Sequence, residues 1–336
     1  MKLHPMPARL LLLGVFSWTV IPVFAQDSNY QIPRTSDNVP DLQGIWTNNT
    51  ITPLTRPTEF GNKLILSSEE AQQLEQAVAD FEVEQDQPSD PDREAPTKGQ
   101  IELRDSYNNF WFDDGTLVAR YNGEFRSSLI VDPADGQIPA FTAAAQERLA
   151  LASAERDSRG AFDGPETRPL PERCLLSFGS SSGPPMLPIL YNNHYQIVQS
   201  PGYVMILVEM VHDARIIRID GEALPEPMQP WLGDSVGHWD GDTLVVETNR
   251  FNPMQRFRNS SDQFKVTERF TRVADDRINY AFTVEDADTF TSAWSAEIPL
   301  YATADRLYEY ACHEGNYALS GVLAGARLEE RESASR

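Results

Sequence analysis

Apolar and polar positions alternate with a period of two along most of the second half of the chain, which is typical of β-strands. The linkers between the alternating runs are short and rich in turn residues, for example Asp240-Gly241 and Asp275-Asp276. The eight predicted strands cover residues 195–198, 203–210, 214–219, 243–248, 264–273, 278–284, 293–300 and 307–311. About eight strands at hairpin spacing are enough to close an antiparallel up-and-down barrel without exposed edges. We predict a mainly β fold with such a lipocalin-like barrel; a β-sandwich is the alternative.

The first half of the chain is less regular and contains two helical patterns. In the segment near 67–85, Ser67 and Glu70 fit a capping box, and apolar residues then recur at helical spacing. The alanine-rich segment near 142–156 predicts a second helix. We expect both helices to pack outside the barrel or to cap one of its ends. Residues 84–100 are acidic and contain three prolines, which predicts a solvated loop.

The first 25 residues have the three parts of a secretory signal peptide. Lys2 and Arg9 give a basic start, an almost unbroken apolar run follows, and small residues around Ala25 suit cleavage. A membrane anchor is the alternative, but the apolar run is shorter than the roughly 20 residues that a spanning helix needs. Gln26 follows the predicted cut, which excludes lipid attachment to a cysteine there. We expect a periplasmic or secreted protein that is not inserted in the membrane after cleavage.

Composition limits the number of domains and the possible partners. After the predicted signal peptide 1–25, we expect an extended polar arm at 26–40 and a single β-rich domain at 41–336. The formal net charge of −22 falls by two, to −24, when Lys2 and Arg9 leave with the signal peptide. Because nucleic acids and anionic membranes repel so acidic a surface, we exclude both as partners. Solubility alone is enough to explain the charge.

The chain contains two cysteines, Cys174 and Cys312. In an exported protein a lone pair of cysteines predicts a disulfide. It would close a loop of roughly 140 residues and contribute about 4–5 kcal/mol in the chain-entropy description. Two free thiols are one alternative, and a metal site formed by Cys312, His313 and a distant histidine is another. Adjacent ligands rarely reach the same ion, so we expect no metal.

Several strings of residues stand out along the chain. They are P-D-L-Q-G-I-W, R-C-L-L with G-P-P-M-L-P, Y-N-N-H-Y-Q-I-V-Q-S-P-G-Y-V, H-D-A-R-I-I, W-L-G-D-S-V-G-H-W-D-G-D-T-L-V-V-E-T and Y-E-Y-A-C-H-E-G-N-Y. Together they resemble an uncharacterised family of exported proteins from environmental bacteria, and the resemblance covers nearly all of the mature chain. It implies that residues 26–336 form one unit. It implies no activity.

The first group of candidate site residues lies at the start of the strand predicted at 214–219. Alternation places Asp213 and Arg215 on one face of this strand and His212 on the other. Arginine is well suited to hold a carboxylate ligand with two hydrogen bonds, so Arg215 or Arg218 is a candidate to bind an anionic group of a substrate. A structural ion pair of Arg215 at the mouth of the barrel is an equally open interpretation.

A second candidate, His238, precedes a predicted turn and is followed by Trp239. A neutral imidazole can act as an acid or a base near neutral pH, although an exposed histidine in a hairpin is the simpler interpretation. Trp239 is a candidate to bind a sugar ring or an apolar ligand, and a role in the core is the alternative. Asp234, Asp240 and Asp242 resemble calcium ligands in spacing, but the complete loop with its terminal glutamate is absent from the sequence.

A third candidate group follows the last predicted strand. His313 and Glu314 come directly after Cys312, and the predicted disulfide would fix them near His194. A His–Glu pair can transfer protons. A polar strand end beside a disulfide is the alternative.

These candidates predict an exported enzyme that uses acid–base chemistry without an organic cofactor. The sequence contains no nucleophile elbow, P-loop, dinucleotide fingerprint or zinc-protease helix. We therefore expect a lyase, isomerase or hydrolase that acts on a small organic or carbohydrate-derived molecule. The alternatives are a lipocalin-like carrier of an apolar or aromatic ligand and a structural envelope protein. The predicted catalytic residues are His212, His238, His313 and Glu314, and the predicted substrate-binding residues are Asp213, Arg215, Arg218 and Trp239.

Overall fold

The computed structural model describes residues 30–85, 87, 92, 112–177 and 183–335. The predicted signal peptide, the first residues of the predicted arm and most of the predicted acidic loop lie outside these residues. Three α-helices occur in the described part: α1 (Ser68–Gln85), α2 (Ala143–Ser158) and α3 (Ala318–Ala334). The strands are β1 (Gly44–Thr47), β2 (Ile65–Leu66), β3 (Arg120–Tyr121), β4 (Glu124–Arg126), β5 (Ile130–Asp132), β6 (His194–Ser200), β7 (Tyr203–Val208), β8 (Ala214–Ile219), β9 (Asp234–Asp240), β10 (Thr243–Asn249), β11 (Lys265–Ala274), β12 (Arg277–Glu285) and β13 (Trp294–Ala302).

Nine of these strands form a closed barrel, which confirms the predicted fold class. Their order is β1-β6-β7-β8-β9-β10-β11-β12-β13, and the pairing of β13 with β1 closes the ring. β5 pairs with the free part of β13, and β2, β4 and β3 form a small separate sheet. Because every barrel strand has a neighbour on both sides, the backbone hydrogen bonds of the barrel are satisfied without an open edge.

The barrel differs from the simple up-and-down order at one place. β8 and β9 pair in parallel, with Ile217 opposite Ser235, because the connection 220–233 returns along the barrel before β9 begins. The alternation rule missed β9 because its inward positions are small, such as Ser235 and Gly237. A Cβ atom on Gly237 would lie 2.9 Å from Ile217 Cγ2, so this position requires glycine for close packing against β8.

The segment predicted as a strand at 307–311 has no ladder. The N–H groups of Tyr308 and Tyr310 instead donate to the side chains of Glu209 and His212. The segment has the apolar–polar alternation of a strand, but these two backbone N–H groups bond to side chains rather than to a neighbouring strand. β1 takes the ninth place in the ring, and its Trp46 is buried in the core.

The two predicted helices lie outside the barrel, together with α3, which the sequence pattern did not predict. The capping box is confirmed, because Ser67 Oγ accepts from the N–H of Glu70 at 3.2 Å and Glu70 accepts from the N–H of Ser67 at 2.8 Å. Thr142 caps α2 by accepting from the N–H of Ala145 at 3.1 Å. Most residues of the three helices are exposed, so these helices contribute little to the barrel core.

Side chains fill the interior of the barrel. Phe270, Tyr280, Phe282 and Trp294 are fully buried, and neighbouring rings in this set lie 4.9–5.8 Å apart. The two ends of the barrel are named after His194 and Trp239. At the His194 end β6 and β8 begin and β7 ends, whereas at the Trp239 end β6, β8 and β9 end and β7 begins. Met186 covers the interior at the His194 end, and its N–H donates to the Tyr280 hydroxyl at 3.0 Å.

Candidate active site

The predicted catalytic histidines do not form one cluster. His238 lies on β9 opposite Val245, with its side chain exposed on the outside of the barrel. Ile219 pairs with Gly237, so the length of β8 separates His212 from the level of His238. At about 3.3 Å per residue this amounts to about 20 Å. His313 and Glu314 are exposed beyond the strands. The roles of His238, His313 and Glu314 remain predictions.

Arg215 points into the barrel, and its ion-pair partner is Glu268 on β11. Arg215 Nη1 lies 2.7 Å from Glu268 Oε2, and the two side chains are 3% and 0% exposed. The Tyr280 hydroxyl donates to the other oxygen of Glu268 at 2.9 Å. Burial first, and then the charge of Glu268, raises the pKa of Tyr280, which keeps the phenol protonated as a donor. This geometry favours the structural interpretation of Arg215.

Arg218 is also occupied by a carboxylate of the protein. Arg218 and Arg250 both donate to the carboxylate of Asp234, and the N–H of Leu224 adds a third hydrogen bond at 2.9 Å. Burial alone would raise the pKa of Asp234, but the hydrogen bonds from the two arginines and Leu224 hold it below its usual value. The cluster fastens the connection 220–233 to the barrel. The same bonds occupy both oxygens of Asp234, which disfavours the calcium interpretation.

The clearest acid–base pair is formed by His194 and Glu209 at the His194 end. His194 Nδ1 lies 3.0 Å from Glu209 Oε2. The Glu209 side chain is 2% exposed, whereas that of His194 is 17% exposed. The N–H of Tyr308 donates to the second oxygen of Glu209 at 2.9 Å, so both oxygens of the carboxylate are fixed. The arrangement is that of an imidazole oriented by a buried carboxylate.

The backbone fixes His194 from both sides. His194 is the first residue of β6 and pairs with Thr47 of β1. The side chain of the preceding Asn193 accepts from the N–H of Ile189 at 2.9 Å and donates to the carbonyl of Asp113 at 2.7 Å. The start of β6 is therefore anchored to two loops. These contacts fix the backbone position from which the His194 imidazole extends.

The charges of the pair reinforce each other. The hydrogen bond to Glu209 raises the pKa of His194, more than burial lowers it, and the negative charges of Asp113 and Asp305 act in the same direction. Burial raises the pKa of Glu209, but the hydrogen bonds from His194 and from the N–H of Tyr308 bring it below its usual value. Because Glu209 binds Nδ1, Nε2 is the nitrogen of His194 that can exchange a proton with a substrate.

His212 lies beside this pair in a strained turn. Val211 and His212 have φ angles of 62° and 54°, in the left-handed region that β-branched and bulky residues rarely adopt. Strain of this kind costs on the order of 1–3 kcal/mol and clusters at functional sites. His212 Nε2 accepts the N–H of Tyr310, which leaves Nδ1 to carry the proton of the neutral ring. Its neighbour Asp213 is half-buried at the start of β8.

A strap, residues 303–312, covers the His194 end and supplies the N–H groups of Tyr308 and Tyr310. The predicted disulfide between Cys174 and Cys312 is confirmed, with the Cα atoms 5.7 Å apart, and it fastens the end of the strap. The strap is thus held by a covalent bond and by hydrogen bonds to both Glu209 and His212.

Sequence reasoning noted His194 but did not select it, and it missed Glu209. The available signal was Glu209 itself, which follows the otherwise apolar run Y-V-M-I-L-V at the end of β7. A carboxylate in that position is buried unless the strand ends early, and a buried carboxylate requires partners. His194, one strand away in the hairpin with β7, is the nearest candidate.

A comparison of the chain with protein-family models, with curated proteins and with solved structures finds no match. Within the described ranges, no three histidine, cysteine or acidic side chains are grouped so that they could hold a metal ion. None of the described helices combines the length and the apolar character that a membrane-crossing helix needs. Function is therefore inferred from the geometry of the side chains.

Proposed function

We propose that the protein is an exported enzyme in which His194 transfers a proton to or from a small organic or carbohydrate-derived substrate. The observation that carries the proposal is the 3.0 Å bond between His194 Nδ1 and a Glu209 carboxylate that is 2% exposed. Such a carboxylate fixes the tautomer and the orientation of the imidazole, so that Nε2 can act as a general base or acid. The disulfide and the predicted signal peptide support export.

The reaction classes that fit are those in which one positioned proton transfer is central, namely lyases, isomerases and hydrolases. His212 is a second polar group at the same end, and its Nδ1–H is suited to donate a hydrogen bond to a substrate oxygen. Asp113, Asp305 and Glu209 make the surroundings of His194 acidic. Because the nearest inward arginine, Arg215, is bound to Glu268, a neutral or cationic substrate fits this end better than an anionic one.

The alternative, a carrier with its ligand inside the barrel, receives less support. Large rings and Met186 occupy the interior from the His194 end, and a buried ion pair lies among them. A lipocalin-like carrier would instead need an apolar hollow in that place.

Turnover by matched variants tests the proposal. The mature protein is assayed on a panel of neutral and amine-bearing esters, hydroxy esters and sugar derivatives that covers the three reaction classes. We expect His194→Gln to lower the detected activity by about 10²–10⁴-fold, and Glu209→Gln to lower it by about 10²-fold, because a small misplacement of the imidazole is sufficient. His238→Gln, an exposed histidine of the same barrel, should leave it unchanged. Activity that survives His194→Gln, or an absence of turnover across the panel, contradicts the proposal.

A further inference from the structure

A cavity of about 410 Å³ lies at the Trp239 end, opposite the candidate active site. It is partly open to solvent and is lined by residues of the N-terminal segment between positions 35 and 43 and by the ends of β6, β7, β8 and β9. The N-terminal segment turns back on itself here, since the N–H of Thr35 donates to the carbonyl of Val39 at 2.9 Å. Gln199 holds the segment by accepting from the N–H of Leu42 at 2.6 Å and donating to the carbonyl of Pro40 at 3.0 Å. The wall of the cavity is thus built by specific hydrogen bonds.

The lining combines aromatic side chains with carboxylates. Trp239 and Tyr203 contribute the rings, and Tyr203 is 50% exposed. Asp37 and Asp220 contribute the carboxylates, and neither has an ion-pair partner among the described residues. No lysine, arginine or histidine occurs among the described residues that line the cavity.

The nearby arginines are held elsewhere. Arg34, next to the N-terminal wall, pairs with Asp242 at 2.6 Å, and Arg218, next to the end of β8, pairs with Asp234. The negative charge of the cavity is therefore not neutralised by these neighbours, and the net charge of the whole chain, −22, adds to it.

We propose that this cavity binds a small organic cation, an amine carried on an apolar or aromatic body. Aromatic rings attract a cation through their faces, and the attraction increases when the site is partly shielded from water. The two aspartates supply the opposite charge, and the volume falls within the range of about 300–1,000 Å³ that small-molecule sites occupy. An anionic ligand would be repelled by the same two aspartates. The site is separate from the proposed catalytic site at His194, and the two are tested independently.

Calorimetric titration of the full mature protein near neutral pH tests the proposal with three probes of similar shape. Phenethylamine is the cation, 2-phenylethanol its neutral counterpart and 3-phenylpropionate its anionic counterpart. Methyl glucoside represents neutral sugars. We expect phenethylamine to bind at least about tenfold more tightly than 2-phenylethanol, a difference of about 1.4 kcal/mol, and we expect no binding of 3-phenylpropionate.

Variants connect this preference to the cavity. The double substitution Asp37→Asn/Asp220→Asn should remove the preference for the amine, while Trp239→Phe should retain most of the binding and Trp239→Ala should lose it. His238→Gln, which changes the neighbouring exposed position of β9, is the matched control and should bind as the wild type does. Equal affinity for the alcohol or for methyl glucoside, absence of amine binding, or amine binding that the aspartate substitutions leave intact would each overturn the proposal. His194→Gln should have no effect here, which separates this test from that of the catalytic proposal.

Discussion

The two ends of the barrel use acidic side chains in opposite ways. At the His194 end, Glu209 is buried, and both of its oxygens are bound, one by His194 and the other by the N–H of Tyr308. At the Trp239 end, Asp37 and Asp220 are exposed and have no ion-pair partner in the described residues. A buried, bonded carboxylate orients its partner and tunes the partner's pKa, whereas an exposed, unpaired one can attract a charged ligand. The first arrangement suits chemistry and the second suits recognition.

The interior separates the two ends. The pair of Arg215 and Glu268 lies between them, surrounded by packed rings, and Tyr280 links Glu268 to the backbone of Met186 at the His194 end. The Trp239 end has no corresponding bond to this pair in the described part of the chain. Changes to the strap or to the buried pair should therefore affect the His194 end more than the Trp239 end.

The largest effect is expected when the disulfide is removed. The double substitution Cys174→Ala/Cys312→Ala opens a loop with a sequence separation of 138 residues, and the chain-entropy description gives a loss of about 5 kcal/mol in the free energy of unfolding. Urea unfolding measures this loss. Amine binding at the Trp239 end should persist under native conditions, while the activity assigned to His194 falls because the strap is released. If both ends lose function together in a folded variant, they are not independent.

The next effect concerns the buried ion pair. Glu268→Ala leaves Arg215 buried without a counter-charge, which should lower the free energy of unfolding by about 3–5 kcal/mol. The double substitution Arg215→Met/Glu268→Leu removes both charges and should cost much less, because no unpaired charge remains. Denaturant titrations of the two variants provide the comparison. Equal losses would show that the pair acts through packing rather than through charge.

The sequence pattern was sufficient for much of the barrel, and the reasons are visible in particular residues. Val266, Glu268 and Phe270 alternate inward on β11, so the same rule that predicts the strand also places Glu268 in the interior. The partner of Glu268 could not be derived, since it requires knowing that β8 and β11 face each other across the barrel. The parallel pairing of β8 and β9 was hidden for the same reason, because it depends on where the connection 220–233 leads.

The candidate site was less predictable than the fold. His194 and Glu209 lie 15 residues apart at the open end of one hairpin. Tyr308, however, lies 99 residues from Glu209, and its bond involves the backbone, which carries no residue-specific signal. The disulfide was predictable from the cysteine count and the predicted compartment. Its effect, fastening the strap over the His194 end, depends on the tertiary structure.

A smaller effect, with a defined pH dependence, is expected for Glu209→Gln. The raised pKa of His194 stabilises the fold below its ordinary value of 6.5, and this contribution is lost as the pH rises through the folded value. The lowered pKa of Glu209 stabilises the fold above its ordinary value of 4.5, and this contribution is lost as the pH falls through the folded value. The pair is therefore most stabilising between these two ordinary values.

We expect Glu209→Gln to lower the free energy of unfolding by about 1.5–3 kcal/mol within this window, the range for hydrogen bonds to charged groups, and by less in alkaline solution. NMR titration should also give a lower pKa for His194 in the variant. Its pH–activity midpoint should shift in the same direction. A loss of stability that does not change with pH would argue for a packing role of Glu209.

The smallest effect is expected for His238→Gln, which is the control variant for both ends of the barrel. His238 is exposed on the outer face of β9, opposite Val245, and its neighbour Trp239 contributes to the cavity at the Trp239 end. A substitution at such a surface position should change the free energy of unfolding by less than about 0.5 kcal/mol. Amine binding and the activity assigned to His194 should both remain at wild-type levels, as measured by calorimetry and by turnover. A loss of turnover with binding intact would instead make His238 the catalytic histidine. The acid–base chemistry would then be assigned to the outer face of β9 rather than to His194 and its partner Glu209.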